Sequence, residues 1–81
     1  MLDNPNWHEI PVIASFDSKG KIKPLYLRIN GERYKVLTCI DRGFEFTHLA
    51  YDITIENYGK AVPLTLGFWM DGCIWRYSTA P

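Results

Sequence analysis

One stretch of the sequence determines the fold: residues 22 to 40 read IKPLYLRI-NG-ERYKVLTCI. Apolar and polar residues alternate on both sides of Asn30-Gly31, and such alternation is typical of β-strands with one buried face. Asn-Gly between two alternating runs is a strong hairpin signal, because both central residues of a type I′ turn need positive φ. The sequence therefore predicts a β-hairpin with a two-residue loop.

The loop length fixes which residues face each other across this hairpin. Leu27 then faces Tyr34 on the side that we assign to the core, and Leu25 faces Val36 there. Three pairs occupy the opposite, outward side of the predicted hairpin: Arg28 with Arg33, Tyr26 with Lys35, and Pro24 with Leu37. Because proline cannot donate a backbone hydrogen bond, Pro24 also predicts an edge position or a bulge.

The alternation continues before and after the hairpin. Residues 10 to 16 predict a first strand that ends at a turn over residues 17 to 20. Residues 41 to 43 read Asp-Arg-Gly and predict a break, after which residues 44 to 56 predict one long strand. The apolar parity of that strand inverts near residues 47 and 48, so we expect a bulge or a sharp bend there.

Two glycine turns follow in the last third of the chain. Tyr58-Gly59 and Asp71-Gly72 each lie between apolar alternations and predict two further hairpins. Their registers pair apolar residues such as Leu49 and Phe68 on the inward face. The same registers place Trp69 beside Ile74 on the outward face.

These elements define the expected fold class. No window places apolar residues at the helical spacing i, i+3, i+4, i+7, and 81 residues allow one domain. We therefore predict an all-β domain over residues 10 to 81, preceded by a polar lead-in over residues 1 to 9. The expected architecture is a small antiparallel β-barrel or a two-layer β-roll of about five to six strands in meander order.

The formal net charge of zero hides a strong segregation of charge. Residues 19 to 35 contain six basic residues and one acidic residue, for a charge of +5, and the remaining residues carry −5. The total argues against a uniformly basic domain that binds nucleic acid or a membrane surface. It leaves room for a local basic site.

The basic residues concentrate on the outward face of the first hairpin. Four side chains are the candidate binding residues for nucleic acid: Tyr26, Arg28, Arg33 and Lys35. Small β-barrels bind single strands with cations that contact phosphates and with rings that stack on bases. Two like charges directly opposite each other also cost roughly 0.2 to 1 kcal/mol, which an anionic partner would relieve. In the alternative interpretation these cations only keep the sheet soluble, and Asp52 or Glu56 neutralises them.

An outward apolar pair is the second candidate site. Trp69 and Ile74 would form an exposed patch, and contiguous apolar surface usually marks a partner site. This alternative makes the chain a protein-protein interaction module, or a homodimer that forms through edge strands or through this patch. In a competing interpretation Trp69 fills a second small core under Trp7.

The sequence offers little catalytic or metal-binding chemistry. Cys39, Asp41 and His48 contain the groups of a nucleophile, an orienting carboxylate and a base, but no spacing places them together. His48 and Asp52 lie about 13 Å apart along one predicted strand, which is too far to share a metal. Nucleophile elbows, phosphate loops and dinucleotide-binding turns are absent from the sequence. We therefore predict a non-catalytic protein without a metal or a cofactor.

The cysteines and the N-terminus predict a location. Cys39 and Cys73 form no CxxC pair and no disulfide framework, which favours a reducing compartment. The sequence shows no signal-peptide pattern and no apolar run that could span a membrane. We expect a cytoplasmic protein with no membrane partner.

Residues 12 to 25 read VIASFDSKGKIKPL and contain the pattern F-D-x-x-G-x-I-x-P. With the following strand, a glycine turn and Trp75 in the last strand, the chain resembles a group of short bacterial proteins of uncharacterised function that share this pattern. The resemblance covers Val12 to Tyr77. It implies a small β-barrel and transfers no catalytic residues.

Overall fold

The computed structural model describes residues 7 to 79. Seven strands and no helix form within this range: β1 His8–Glu9, β2 Val12–Phe16, β3 Ile22–Ile29, β4 Glu32–Glu45, β5 His48–Asn57, β6 Lys60–Trp69 and β7 Ile74–Ser78. The predicted all-β class is confirmed. The extra strand is β1, which lies in the part of the chain that the sequence suggested was a polar lead-in.

The strands form one antiparallel sheet in the order β1-β7-β6-β5-β4-β3-β2. Strands β2 to β7 are neighbours in chain order, as a meander requires. The sheet curls into a half-barrel whose ends are linked by the N-terminal segment, because β1 pairs with β7 and β2 pairs with β3. In the link between β1 and β2, the Ile10 N–H donates to the Trp75 carbonyl at 3.1 Å, and the Pro11 carbonyl accepts from the Arg28 N–H at 3.1 Å.

The predicted registers of three hairpins are confirmed. Leu27 lies opposite Tyr34 in the β3–β4 hairpin. Phe68 lies opposite Leu49 in the β5–β6 hairpin and opposite Trp75 in the β6–β7 hairpin. The inward pairs are therefore apolar across the middle of the sheet.

The single long strand predicted over residues 44 to 56 is wrong. Phe46 and Thr47 form the turn of a β4–β5 hairpin, in which Glu45 lies opposite His48. Phe46 adopts a φ of 58° at this turn. A bulky residue rarely occupies the left-handed region, so the sequence carried no ordinary turn signal at this point.

The long, bent strand of the sheet is β4, with 14 residues. It pairs with β3 as far as Lys35 and with β5 from Val36 onward. Gly43, which predicted a break between strands, lies inside β4 at a register shift and has a φ of 80°. The glycine thus serves a bulge rather than a turn, and one strand joins two parts of the half-barrel.

Pro24 is buried, contrary to the predicted outward position. The register between β2 and β3 skips Leu25, which is therefore an extra residue in β3. This bulge reverses the parity of the strand, so that Pro24 contributes to the interior instead of facing Leu37. The bulge predicted from the proline is present. The β3–β4 ladder ends at Tyr26, so the predicted pairing of Leu25 with Val36 does not form.

The core fills the concave side of the half-barrel. Its buried residues come from β3, β5 and β6: Leu27, Tyr51, Ile53, Ile55, Leu64, Leu66 and Phe68. Removal of this apolar surface from water supplies the main driving force for folding. Because successive side chains of a strand point to opposite faces, the burial of Leu27 directs its neighbours Tyr26 and Arg28 outward.

Candidate nucleic-acid interface

A tight turn holds the four predicted binding residues on one surface. Asn30 and Gly31 have φ values of 52° and 82°, the left-handed values that a type I′ turn requires. The short loop keeps alternate residues of β3 and β4 on the outward face. The register then brings together the four residues of what we call the basic hairpin surface: Tyr26 opposite Lys35, and Arg28 opposite Arg33.

Within this surface, a guanidinium lies over an aromatic ring. The Arg33 Cζ atom is 5.4 Å from the centroid of the Tyr26 ring, which is within the range of a cation-π contact. The Tyr26 side chain is half-buried, whereas the three cations are exposed. The contact therefore presents a positive charge and a flat π surface at the same place.

The two other arginines of the chain are ion-paired. Arg42 contacts Glu45 at 2.8 Å and Asp52 at 3.3 Å, and Arg76 contacts Glu9 at 3.4 Å. Within residues 7 to 79, no carboxylate oxygen lies within 4.0 Å of a cationic nitrogen of the basic hairpin surface. The carboxylate of Asp52 is thus paired with Arg42 rather than with a cation of the basic hairpin surface.

The two sides of the basic hairpin surface differ in charge. Towards β2 lies a groove of about 240 Å³ that includes Arg28, Arg33 and the exposed Ile13, and none of the described carboxylates lines it. Towards β5 lies a hollow of about 360 Å³ whose lining includes Glu32 and Glu56. An anionic ligand is therefore favoured on the β2 side.

Trp69 lies inside a cluster of rings on the outward face. Its ring centroid is 4.2 Å from that of His48, in a stacked arrangement, and 5.0 Å from that of Trp7. The Arg76 Cζ atom is 4.6 Å from the same ring. We call these four residues the aromatic cluster. Trp69 does pair with Ile74 as predicted, but its half-buried ring is covered by neighbours, as in the interpretation that placed Trp7 over it.

His48 is the titratable member of the aromatic cluster. Its Nδ1 atom is buried and has no hydrogen-bond partner among the described residues. Burial lowers the pKa of His48 below its usual value, and Glu45, opposite on β4, opposes the shift only in part. The folded protein therefore favours the neutral imidazole.

We expect the stability of the protein to fall as the pH is lowered through the His48 transition. Between the lowered pKa of the folded state and the ordinary value of 6.5, the unfolded chain binds more protons, so acid favours unfolding. His48→Phe keeps a stacking ring without a titrating group, so its melting temperature should depend less on pH between about pH 8 and about pH 5. His8→Gln, at the exposed histidine, is the control. Equal pH dependence in His48→Phe and the wild type would contradict this origin.

A cavity of about 370 Å³ lies where β3 and β4 separate, and its lining includes Cys39, Asp41 and Tyr51. Burial, with a contribution from Asp41, raises the pKa of the Cys39 thiol. Burial, Asp41 and Cys39 raise the pKa of Tyr51 to about 12. A thiol with a raised pKa is a poor nucleophile at neutral pH. His48 occupies the opposite face of β5, so the structure does not bring Cys39, Asp41 and His48 together.

Comparison of the chain with protein-family models, curated proteins and solved structures finds no match. Over residues 7 to 79, no helix is long and apolar enough to cross a membrane. In the same part of the chain, no group of three or more His, Cys, Asp or Glu residues could hold a metal ion. The fold and the site alone therefore define the class: an all-β half-barrel that displays a basic hairpin surface.

Proposed function

We propose that the protein binds single-stranded nucleic acid through the basic hairpin surface. The observation that carries this proposal is that two of the four arginines are paired with carboxylates of the described residues and two are not. Arg42 and Arg76 have carboxylate partners, whereas Arg28 and Arg33 lie opposite each other with no carboxylate within 4.0 Å among the described residues. Like charges directly opposite each other destabilise a ladder, so a bound phosphate would relieve a cost that the fold retains.

The chemistry of the surface suits a single strand better than a duplex. Guanidinium and ammonium groups bind phosphate oxygens, and the Tyr26 ring with the Arg33 guanidinium offers flat surfaces on which a base can stack. The groove towards β2 adds the apolar side chain of Ile13, which is 56% exposed. The bases of a duplex are stacked on one another. A duplex could therefore contact the cations of this surface, but its bases could not stack on the Tyr26 ring.

The test is the binding of a labelled single-stranded oligonucleotide of mixed sequence, as DNA and as RNA, measured by fluorescence anisotropy. We expect wild-type binding at low ionic strength that weakens as salt is added. The double variant Arg28→Glu/Arg33→Glu should weaken binding by at least about tenfold, because hydrogen bonds to charged groups contribute roughly 1.5 to 3 kcal/mol each and about 1.4 kcal/mol corresponds to a factor of ten.

A matched control separates the surface from the total charge. Lys19→Glu/Lys60→Glu reverses two exposed cations outside the basic hairpin surface and changes the net charge by the same amount. We expect this control to bind nearly as well as the wild type. The proposal is overturned by a wild-type protein that binds neither oligonucleotide at low salt, or by equal losses in the two double variants.

A further inference from the structure

One edge of the sheet presents backbone groups to which no described strand bonds. Among the strands of residues 7 to 79, β2 is the last of the sheet and pairs only with β3. The Arg28 N–H donates to the Pro11 carbonyl at 3.1 Å, and the Asp17 N–H donates to the Lys21 carbonyl at 3.0 Å. Alternate residues bond to the neighbour in an antiparallel ladder, so the odd-numbered residues face β3. The N–H and C=O groups of the even-numbered residues point away from it: Val12, Ala14 and Phe16.

This edge lacks the features that usually protect an edge strand. Natural edges are short, or carry charges, prolines or bulges that prevent further pairing. The five residues of β2, VIASF, include no charge and no proline, and the bulge of this pair lies in β3 at Leu25. Ile13 and Phe16 are 56% and 62% exposed. The other terminal strand, β1, is two residues long and ends at the charged Glu9.

We propose that β2 pairs with β2 of a second copy of this chain, antiparallel and centred on Ala14, to form a two-fold dimer. The free groups are spaced evenly about Ala14, so a two-fold rotation brings Val12 of each copy opposite Phe16 of the other. The pairing forms about six backbone hydrogen bonds. Ala14, at the centre, is small, and no residue of β2 carries a charge that would face its own copy across the pair.

The dimer joins two basic hairpin surfaces on one side of a continuous sheet. Ile13 lies opposite Tyr26 on the outward face, and residues that face each other in an antiparallel pair point to the same side. The two β3 strands would lie about 14 Å apart, at three strand spacings of about 4.8 Å each. One single-stranded nucleic acid could then contact both basic hairpin surfaces. This consequence rests on the proposed function, whereas the dimer itself does not.

The test measures the mass of the full chain by sedimentation equilibrium, without nucleic acid, from micromolar to millimolar concentration. We expect a reversible dimer for the wild type. Ala14→Pro removes an N–H that points away from β3, so it should keep the fold and weaken dimerisation by at least about tenfold. Ile13→Pro removes an N–H that faces β3, so it should instead lower the melting temperature. This contrast tests the assigned parity directly.

Hydrogen exchange gives a second readout that does not depend on proline. The amides of Val12, Ala14 and Phe16 should become protected only at concentrations where the wild type is a dimer, while those of Ile13 and Ser15 are protected throughout. A wild type that stays monomeric at millimolar concentration, or an Ala14→Pro variant that dimerises normally, overturns the proposal. Oligonucleotide binding by monomeric Ala14→Pro is scored separately, so failure of the dimer and failure of nucleic-acid binding remain distinguishable.

Discussion

Leu27→Ala should lower the free energy of unfolding by about 2 to 5 kcal/mol. Leu27 is 1% exposed and lies between Val12 on β2 and Tyr34 on β4, so the truncation leaves a cavity where three strands meet. Natural domains have a total stability of only about 5 to 15 kcal/mol, and small ones have little in reserve. Urea denaturation followed by tryptophan fluorescence measures the loss.

Leu37→Ala is the matched control for this prediction. It makes the same chemical change at a leucine that is 44% exposed, beside a register shift between β4 and β5, so its effect should stay below about 1 kcal/mol. Equal losses in the two variants would contradict the assignment of Leu27 to the core. Because Leu27 lies between Tyr26 and Arg28 on β3, its loss should also reduce the fraction of molecules that present the basic hairpin surface.

The parts of the fold that the sequence predicted are those controlled by local turn chemistry. Asn30 and Gly31 accept positive φ at low cost, so the turn type, the loop length and the register followed from two residues. The same reasoning gave the registers on both sides of β6. Period-two alternation then separated the inward face from the outward face.

The errors arose where a residue adopts a conformation that its type disfavours, or where a glycine has two uses. Phe46 forms a turn at a φ of 58°, and no propensity rule predicts a phenylalanine there. Gly43 satisfies a turn and a bulge equally well, and only the pairing of β4 with β5 decides between them. Pro24 predicted a bulge correctly, but the sequence could not show which neighbour was the extra residue.

The two outward sites differ in how far sequence reasoning could reach them. The basic hairpin surface lies within one hairpin, so its register placed all four residues together. The aromatic cluster depends on Trp7 meeting Trp69, from opposite ends of the chain, through the pairing of β1 with β7. No local pattern encodes that contact. The β5–β6 register, which pairs Leu49 with Phe68, places His48 beside Trp69, so this part of the cluster follows from the turn at Gly59.

Gly67→Ala should destabilise the protein by about 1 to 3 kcal/mol, the usual range for overpacking. Gly67 is buried, and a Cβ atom there would lie 2.7 Å from Trp69 Cζ3 and 3.0 Å from His48 Cδ2. The Trp69 ring would have to move, which would disturb its stacking on His48. Chemical denaturation measures the loss of stability, and near-ultraviolet circular dichroism should show a weakened tryptophan signal.

Repeating the substitution in a Trp69→Leu variant identifies the cause of that loss of stability. Alanine is otherwise better than glycine within a strand by roughly 0.5 to 1 kcal/mol, so in a Trp69→Leu protein the Gly67→Ala change should be neutral or stabilising. The two changes should therefore be strongly non-additive, as expected for residues in contact. If Gly67→Ala lowered the stability equally in both backgrounds, contact with the Trp69 ring would not be the reason that a glycine is needed at this position. A sign change would instead show that the glycine is required by the stack of Trp69 on His48 rather than by the strand.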